Sequence, residues 1–241
     1  MVRLYSFLIG YAFGLFQTAF IVGKINGIDI RKYGSGNSGS TNALRVLGRK
    51  AGLTVFAGDM AKGIIAAFIV RFLFGETYGS LLHLLVMWCG VGCVLAHDFP
   101  FYMGFKGGKG IAATGGTIIA FSFLQPELLI FPLGLCYFFI PFFVTHYVSL
   151  GSLILYAGFF IHMLICGQLG LFGMPQAALY EMYGITFALM VLAYWQHRSN
   201  IVRLIKGTER KTFLGKKKPE IGGAEENKLG TPEDKKEENN G

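Results

Sequence analysis

Residues 150–168 read LGSLILYAGFFIHMLICGQ, a run without a single Asp, Glu, Lys or Arg. A helix rises about 1.5 Å per residue and the hydrocarbon core of a bilayer is about 30 Å thick, so a run of this length and polarity predicts a transmembrane helix. Comparable runs cover Leu4–Val22, Leu53–Phe74, Leu81–Ala96, Leu128–Val144 and Ala177–Trp195, with a shorter, glycine-rich one at Ile111–Phe123. Across its 241 residues the chain is 53% hydrophobic and only 15% charged, which is too apolar for a soluble domain of this size. The runs are continuous and do not alternate, so an outer-membrane β-barrel is excluded. The expectation is an all-α integral membrane protein with about seven transmembrane helices. A single helix broken near Gln125-Pro126-Glu127 would reduce that number to six.

Charge predicts the orientation. Lys24, Arg31, Lys32, Arg45, Arg49 and Lys50 follow the first run, Lys106 and Lys109 follow the third, and many more follow Trp195. The opposite side holds little beyond Arg3 and Arg71. By the positive-inside rule the N-terminus is outside and the C-terminus cytoplasmic, which requires an odd number of crossings. The first run exceeds the apolar region of a secretory signal and has no small-residue cleavage site before the basic loop, so it reads as an uncleaved span. Residues 1–213 read as one membrane domain. Residues 214–241 mix charges with Gly and Pro and hold few large apolar side chains, so they read as a disordered cytoplasmic tail.

The net charge of +8 collects at run ends and in two glycine-rich blocks. No RNA- or DNA-binding motif accompanies it, which suits lipid headgroups or phosphorylated substrates and not nucleic acid. Cys89, Cys93, Cys136 and Cys166 fall inside apolar runs without zinc-ligand spacing, so neither a metal nor a cofactor is expected.

Polar residues in and beside the runs carry the chemistry. Residues 34–49 read GSGNSGSTNALRVLGR. Around Ser35, Gly36 and Asn37 the backbone can turn several N–H groups toward one anion, Thr41 and Asn42 add side-chain donors, and Arg45 and Arg49 add charge on a following helix. The second block, FKGGKGIAATGG at 105–116, sets Lys106 and Lys109 around Gly107 and Gly108. It lacks Walker A spacing and follows no strand, so a nucleotide-binding fold is not supported. Both blocks have a plainer reading as turns and close helix contacts. In the third, WQHRSNIVRLIKGTE at 195–209, His197, Asn200 and Arg203 recur every three residues on one helical face. Ser149, in THYVSLGS, either caps a helix or reaches a ligand. Asp59 and Lys62 lie one turn apart in hydrocarbon and are expected to pair.

Together the blocks resemble the bacterial acyl-phosphate:glycerol-3-phosphate acyltransferases, integral membrane enzymes that begin phospholipid synthesis. GSGNSGSTNALRVLG, DMAKG, HDFPFYMGFKGGKGIAATGG, YVSLGS and HRSNIVRLIKGTE stand in that family's order, with Ser40 where Ala is usual and Ala96 where Gly is common. The resemblance implies transfer of a fatty acyl group from acyl phosphate to the 1-hydroxyl of glycerol 3-phosphate, giving lysophosphatidic acid and inorganic phosphate. The expectation is a bacterial inner membrane enzyme among membrane lipids, its site facing the cytoplasm by the positive-inside rule; the sequence does not fix the oligomeric state, a monomer being one option. By the same resemblance Ser35, Arg45, Lys109, His197 and Asn200 line the site, with Thr41, Asn42, Arg49, Lys106 and Ser149 beside them and His97 in a structural or capping role. Whether His197 binds phosphate or acts as base stays open.

None of the five histidines has an Asp five positions on, which argues against the His-Asp relay of acyl-CoA-dependent acyltransferases. The other reading, a transporter of a small organic phosphate, calls for midplane polar sites and often repeated halves. Here the polar blocks fall on one predicted face and no internal repeat is found.

Overall fold

The computed structural model describes residues 1–124 and 129–213. Its helices are α1 (Val2–Gly14), α2 (Thr18–Ile25), α3 (Ser40–Leu47), α4 (Arg49–Phe74), α5 (Leu82–Asp98), α6 (Ile111–Ser122), α7 (Ile130–Thr145), α8 (Val148–Gln168), α9 (Gln176–Gln196) and α10 (Arg198–Ile205). No strand occurs among the described residues. Five stretches are long and apolar enough to cross a membrane: Val2–Ile25, Arg49–Phe74, Gly79–Met103, Val148–Gln168 and Gln176–Gln196. The helices α6 and α7 are apolar but shorter, so five of the seven expected runs are long enough to cross. The Gln125-Pro126-Glu127 junction and the tail expected at 214–241 lie outside the described residues.

Between helices in lipid the association rests on close packing, because lipid tails are as apolar as the side chains they would replace. Accordingly α1 crosses α5 on glycine. A Cβ on Gly10 would stand 1.8 Å from the Cys89 carbonyl oxygen, and one on Gly92 would stand 2.1 Å from that of Phe7. Outward-facing side chains are apolar in their turn, with Leu8, Phe72, Ile140 and Val144 all exposed.

The first run departs from the expected single helix, for it breaks between α1 and α2. Carbonyls opened by a break in hydrocarbon must find new donors. Gln17 Nε2 donates to Gly14 O at 3.2 Å and to His97 O at 3.1 Å, and Lys62 Nζ donates to Phe16 O at 2.8 Å. The expected Asp59–Lys62 pair forms at 3.1 Å, and Thr18 Oγ1 donates to the same carboxylate at 3.0 Å. The ion pair is thus also the fastener of the helix break, since its lysine is committed to the opened carbonyl as well as to Asp59.

Replacing Gly10 by Val should lower the thermal midpoint of the detergent-solubilised protein by roughly 5 °C or more, because the added methyls meet backbone. Gly184→Ala, whose Cβ would meet nothing within 4 Å, should not lower the midpoint in the same assay.

Candidate active site

Four polar segments meet at one end of the bundle: the loop before α3, the loop before α6, the α7–α8 corner, and α10 with residues 206–213. Ser38 N donates to Gly107 O at 3.3 Å, which joins the two glycine blocks. Lys109 Nζ donates to Asn200 Oδ1. Asn200 Nδ2 donates to Glu209 Oε1 at 2.7 Å, Ser149 Oγ donates to the same oxygen at 3.0 Å, and Arg203 Nε donates to Glu209 Oε2 at 2.7 Å. Arg45 Nη2 donates to Thr212 Oγ1 at 2.9 Å.

Ser149, Asn200 and Arg203 are therefore gathered on the Glu209 carboxylate, Lys109 joins through Asn200, His197 lies within the field of Glu209, and Arg45 within that of Lys109. Sequence reasoning placed Glu209 at the end of a motif and gave it no role. A signal existed: it is the sole carboxylate between His197 and Phe213, among five Lys and Arg residues.

Burial works against the charge of Glu209, but the bonds from Asn200, Arg203 and Ser149 outweigh it and hold the carboxyl below the usual carboxylate range. Burial also lowers the Lys109 ammonium to about 8. Glu209 and Asp98 oppose that shift, while Arg203 and Arg45 add to it. His197 is buried, and burial together with the Lys109 charge lowers it to about 4, so the ring is neutral at pH 7. Its Nδ1 lies 2.8 Å from Ala193 O. Placing the ring proton there satisfies that carbonyl and makes Nε2 the acceptor nitrogen.

Several amides of the glycine blocks, expected to form anion nests, bond to acceptors of the chain itself. The amides of Ser35 and Gly36 donate to Asn42 Oδ1 at 2.8 Å and Tyr33 O at 3.0 Å. Those of Gly107 and Gly108 donate to Asp98 O and His97 O, both at 3.1 Å. Asn37 N lies 3.5 Å from Ser35 Oγ, a marginal turn contact. Asn42 Nδ2 donates to Ile30 O and Tyr33 O, both at 3.1 Å, so this side chain fastens its own loop.

Glycine at 108 serves close approach, for a Cβ there would lie 2.1 Å from His97 Nε2. His97 itself is buried behind the loop, where its Nδ1 lies 2.7 Å from Lys62 Nζ. Thr41 stands in the first turn of α3, and Arg49 and Lys106 are exposed. None of these three is bonded to the Glu209 cluster among the described residues. No group of three or more His, Cys, Asp or Glu placed to hold a metal occurs among the described residues. Positive charge at this end is carried by the Arg45 and Lys109 side chains, and the loop amides of Ser35, Gly36, Gly107 and Gly108 already have acceptors within the chain.

The family model described as glycerol-3-phosphate acyltransferase matches residues 4–207, a span that takes in all three motif blocks up to Gly207. The chain belongs to this family. It is 37% identical over 210 residues to the glycerol-3-phosphate acyltransferase of Halalkalibacterium halodurans, covering 86% of this chain and 93% of that one. To the enzyme of the same name from Thermoanaerobacter sp. it is 39% identical over 214 residues, covering 87% and 94%.

Among solved structures the fold is similar to PlsY (YgiH), an integral membrane glycerol 3-phosphate acyltransferase. The glycerol 3-phosphate form superposes with a TM-score of 0.73 at 29% identity, over 88% of this chain and 96% of that one. The lysophosphatidic acid form gives 0.71 at 28% identity, over 89% and 97%.

The Lys109 value sets a pH dependence. Below about 8 the ligand-free site carries this cation, and above it the cation is lost, so affinity for a dianionic phosphate held by Lys109, such as that of an acyl phosphate, should fall as pH rises from 7.5 to 9.5. Lys109→Arg keeps the charge throughout this range and should flatten the alkaline limb in a calorimetric titration, whatever its affinity at pH 7.

Proposed function

We propose that this protein transfers a fatty acyl group from acyl phosphate to the 1-hydroxyl of glycerol 3-phosphate, releasing lysophosphatidic acid and inorganic phosphate. The observation that carries this reading is the convergence of Arg45, Lys109 and a neutral His197 at one polar end of an apolar bundle. Two phosphate groups and one reactive carbonyl have to meet there, one substrate arriving from water and the other anchored in lipid by its acyl chain.

The chemistry asks for positioning and charge neutralisation more than for nucleophilic catalysis. Acyl phosphate is a mixed anhydride with phosphate as a good leaving group. The acceptor hydroxyl oxygen attacks the acyl carbon, the bond from that carbon to the phosphate oxygen breaks, and inorganic phosphate departs. Arg45, on α3 at the polar end of the bundle, takes the phosphate of the soluble acceptor. Lys109, aimed by Asn200, neutralises the leaving phosphate. The hydroxyl proton goes to Nε2 of His197, whose neutral ring and Nδ1 bond to Ala193 leave that nitrogen as a base.

Ser35 with Gly36 and Asn37, Thr41 and Asn42, and Gly107 with Gly108 shape the walls of the two substrate loops. Arg49 and Lys106 add field at the rim, Ser149 holds Glu209, and the acyl tail lies between helices. No cofactor takes part.

The disposition in the membrane follows from the same end of the molecule. Counting α1 with α2 as one crossing, then α4 to α9, gives seven crossings, the site loops falling together on the end where Lys and Arg collect. By the positive-inside rule that end faces the cytoplasm of a bacterial inner membrane, with the N-terminus outside. Residues 1–213 act as a monomeric membrane domain among lipids, and residues 214–241 are a tail that takes no part in catalysis.

Purified protein given palmitoyl phosphate and glycerol 3-phosphate should release phosphate and form lysophosphatidic acid, while palmitoyl-CoA should not replace the donor. Turnover with the thioester alone would overturn the donor, and turnover with neither would overturn the reaction. Under saturating substrates His197→Ala should reduce kcat by about 100-fold, the usual size of a general-base contribution. A raised KM at unchanged kcat would make this residue a phosphate ligand instead.

A further inference from the structure

The segment after α10 turns back over the site. Thr208 N donates to Arg203 O at 2.8 Å and ends the helix, and residues 209–213 continue without regular structure. Their path is anchored at the α7–α8 corner. There His146 adopts the left-handed conformation at φ 62°, with its amide on Phe142 O, and its carbonyl accepts the Thr212 amide at 2.8 Å. The Phe213 ring lies 4.7 Å from the His146 ring.

Within this strap Thr212 is 5% exposed, while Lys211 and Phe213 on either side of it are exposed. A buried hydroxyl needs a partner, and this one accepts from Arg45 Nη2, which also lies 3.5 Å from Arg210 O. The contact lies past residue 207, where the family match ends.

We infer that Thr212 is a positioning residue, holding the Arg45 guanidinium on α3 in the orientation that receives the acceptor's phosphate. This rests on the reading of Arg45 as the ligand of that phosphate. Arginine has several rotatable bonds and a planar fork of five donors, so a bond at one edge fixes the direction of the whole group. The strap is itself held by the His146 carbonyl and the Phe213 ring, neither of which involves the Thr212 hydroxyl. The hydroxyl therefore adds orientation of Arg45 and not attachment of the strap. A competing role, in which the hydroxyl occupies the arginine and keeps substrate away, predicts the opposite sign.

The full chain carrying Thr212→Val keeps the side-chain shape and the amide bond while removing the acceptor. Its KM for glycerol 3-phosphate should rise roughly fivefold, the size of one net hydrogen bond, with kcat within twofold and an unchanged thermal midpoint. Thr212→Ser should restore the KM. Arg45→Lys should raise it as well, and adding Thr212→Val to Arg45→Lys should change it no further.

An unchanged KM in Thr212→Val beside a raised one in Arg45→Lys would sink the role of Thr212 alone, as would additive effects in the double variant. A lowered KM would make the hydroxyl a competitor of substrate. An unchanged KM in Arg45→Lys would instead remove Arg45 as the ligand, and the inference with it. Should the valine variant fold poorly, Thr212→Ala against Thr212→Ser gives the same comparison.

Discussion

One carboxylate holds the polar end of this protein together. Glu209 accepts from Ser149 at the start of α8 and from Asn200 and Arg203 on α10, and Asn200 passes the connection on to Lys109 beside α6. Cations collected for phosphate repel one another while the site is empty, and a buried ammonium loses its hydration besides. An anion at the centre offsets both costs without sitting where substrate must go. Its charge survives burial because three donors point at it, and the same donors leave it little freedom to move. The arrangement is a counter-ion built into the scaffold, around which helices distant in sequence are brought into register.

A comparable logic governs the hydrocarbon side. Where α1 gives way to α2, the opened carbonyls are covered by Gln17 and by Lys62, and Lys62 is in turn neutralised by Asp59. The end of α5 at His97 and Asp98 supplies carbonyls to Gln17 on one side and to the Gly107 and Gly108 amides on the other. The helix break and the lysine loop thus share one anchor. Glycine is required along this line for proximity, since His97 stands where a Cβ of residue 108 would go.

The long apolar stretches were legible in the sequence because a bilayer imposes length and composition on whatever crosses it, and Val148–Gln168 and Gln176–Gln196 lie within a few residues of where hydropathy put them. The Asp59–Lys62 pair was legible for a related reason, as two charges one turn apart in hydrocarbon have few other options. The break near Gln17 was not, because nothing but a glutamine and the neighbouring Gly14 marks it, and what stabilises it comes from α4 and α5. The glycine loops announced phosphate chemistry by composition, but composition does not say which amides are already spent on the protein's own carbonyls. Glu209 and Thr212 escaped notice because their partners are brought to them only by the tertiary fold.

The helix α7 holds 16 residues and its Ile140, Phe143 and Val144 are exposed, Val144 at 77%. At about 1.5 Å per residue it covers about 24 Å, short of a hydrocarbon layer of about 30 Å. Lipid beside a short apolar element thins to match it. Thinning of that kind beside α7 would draw the headgroup plane toward the corner at His146, over which the C-terminal strap lies. An amphiphile whose polar head rides in that plane would then reach the polar end of the bundle by moving sideways through the leaflet, with its chain still in oil.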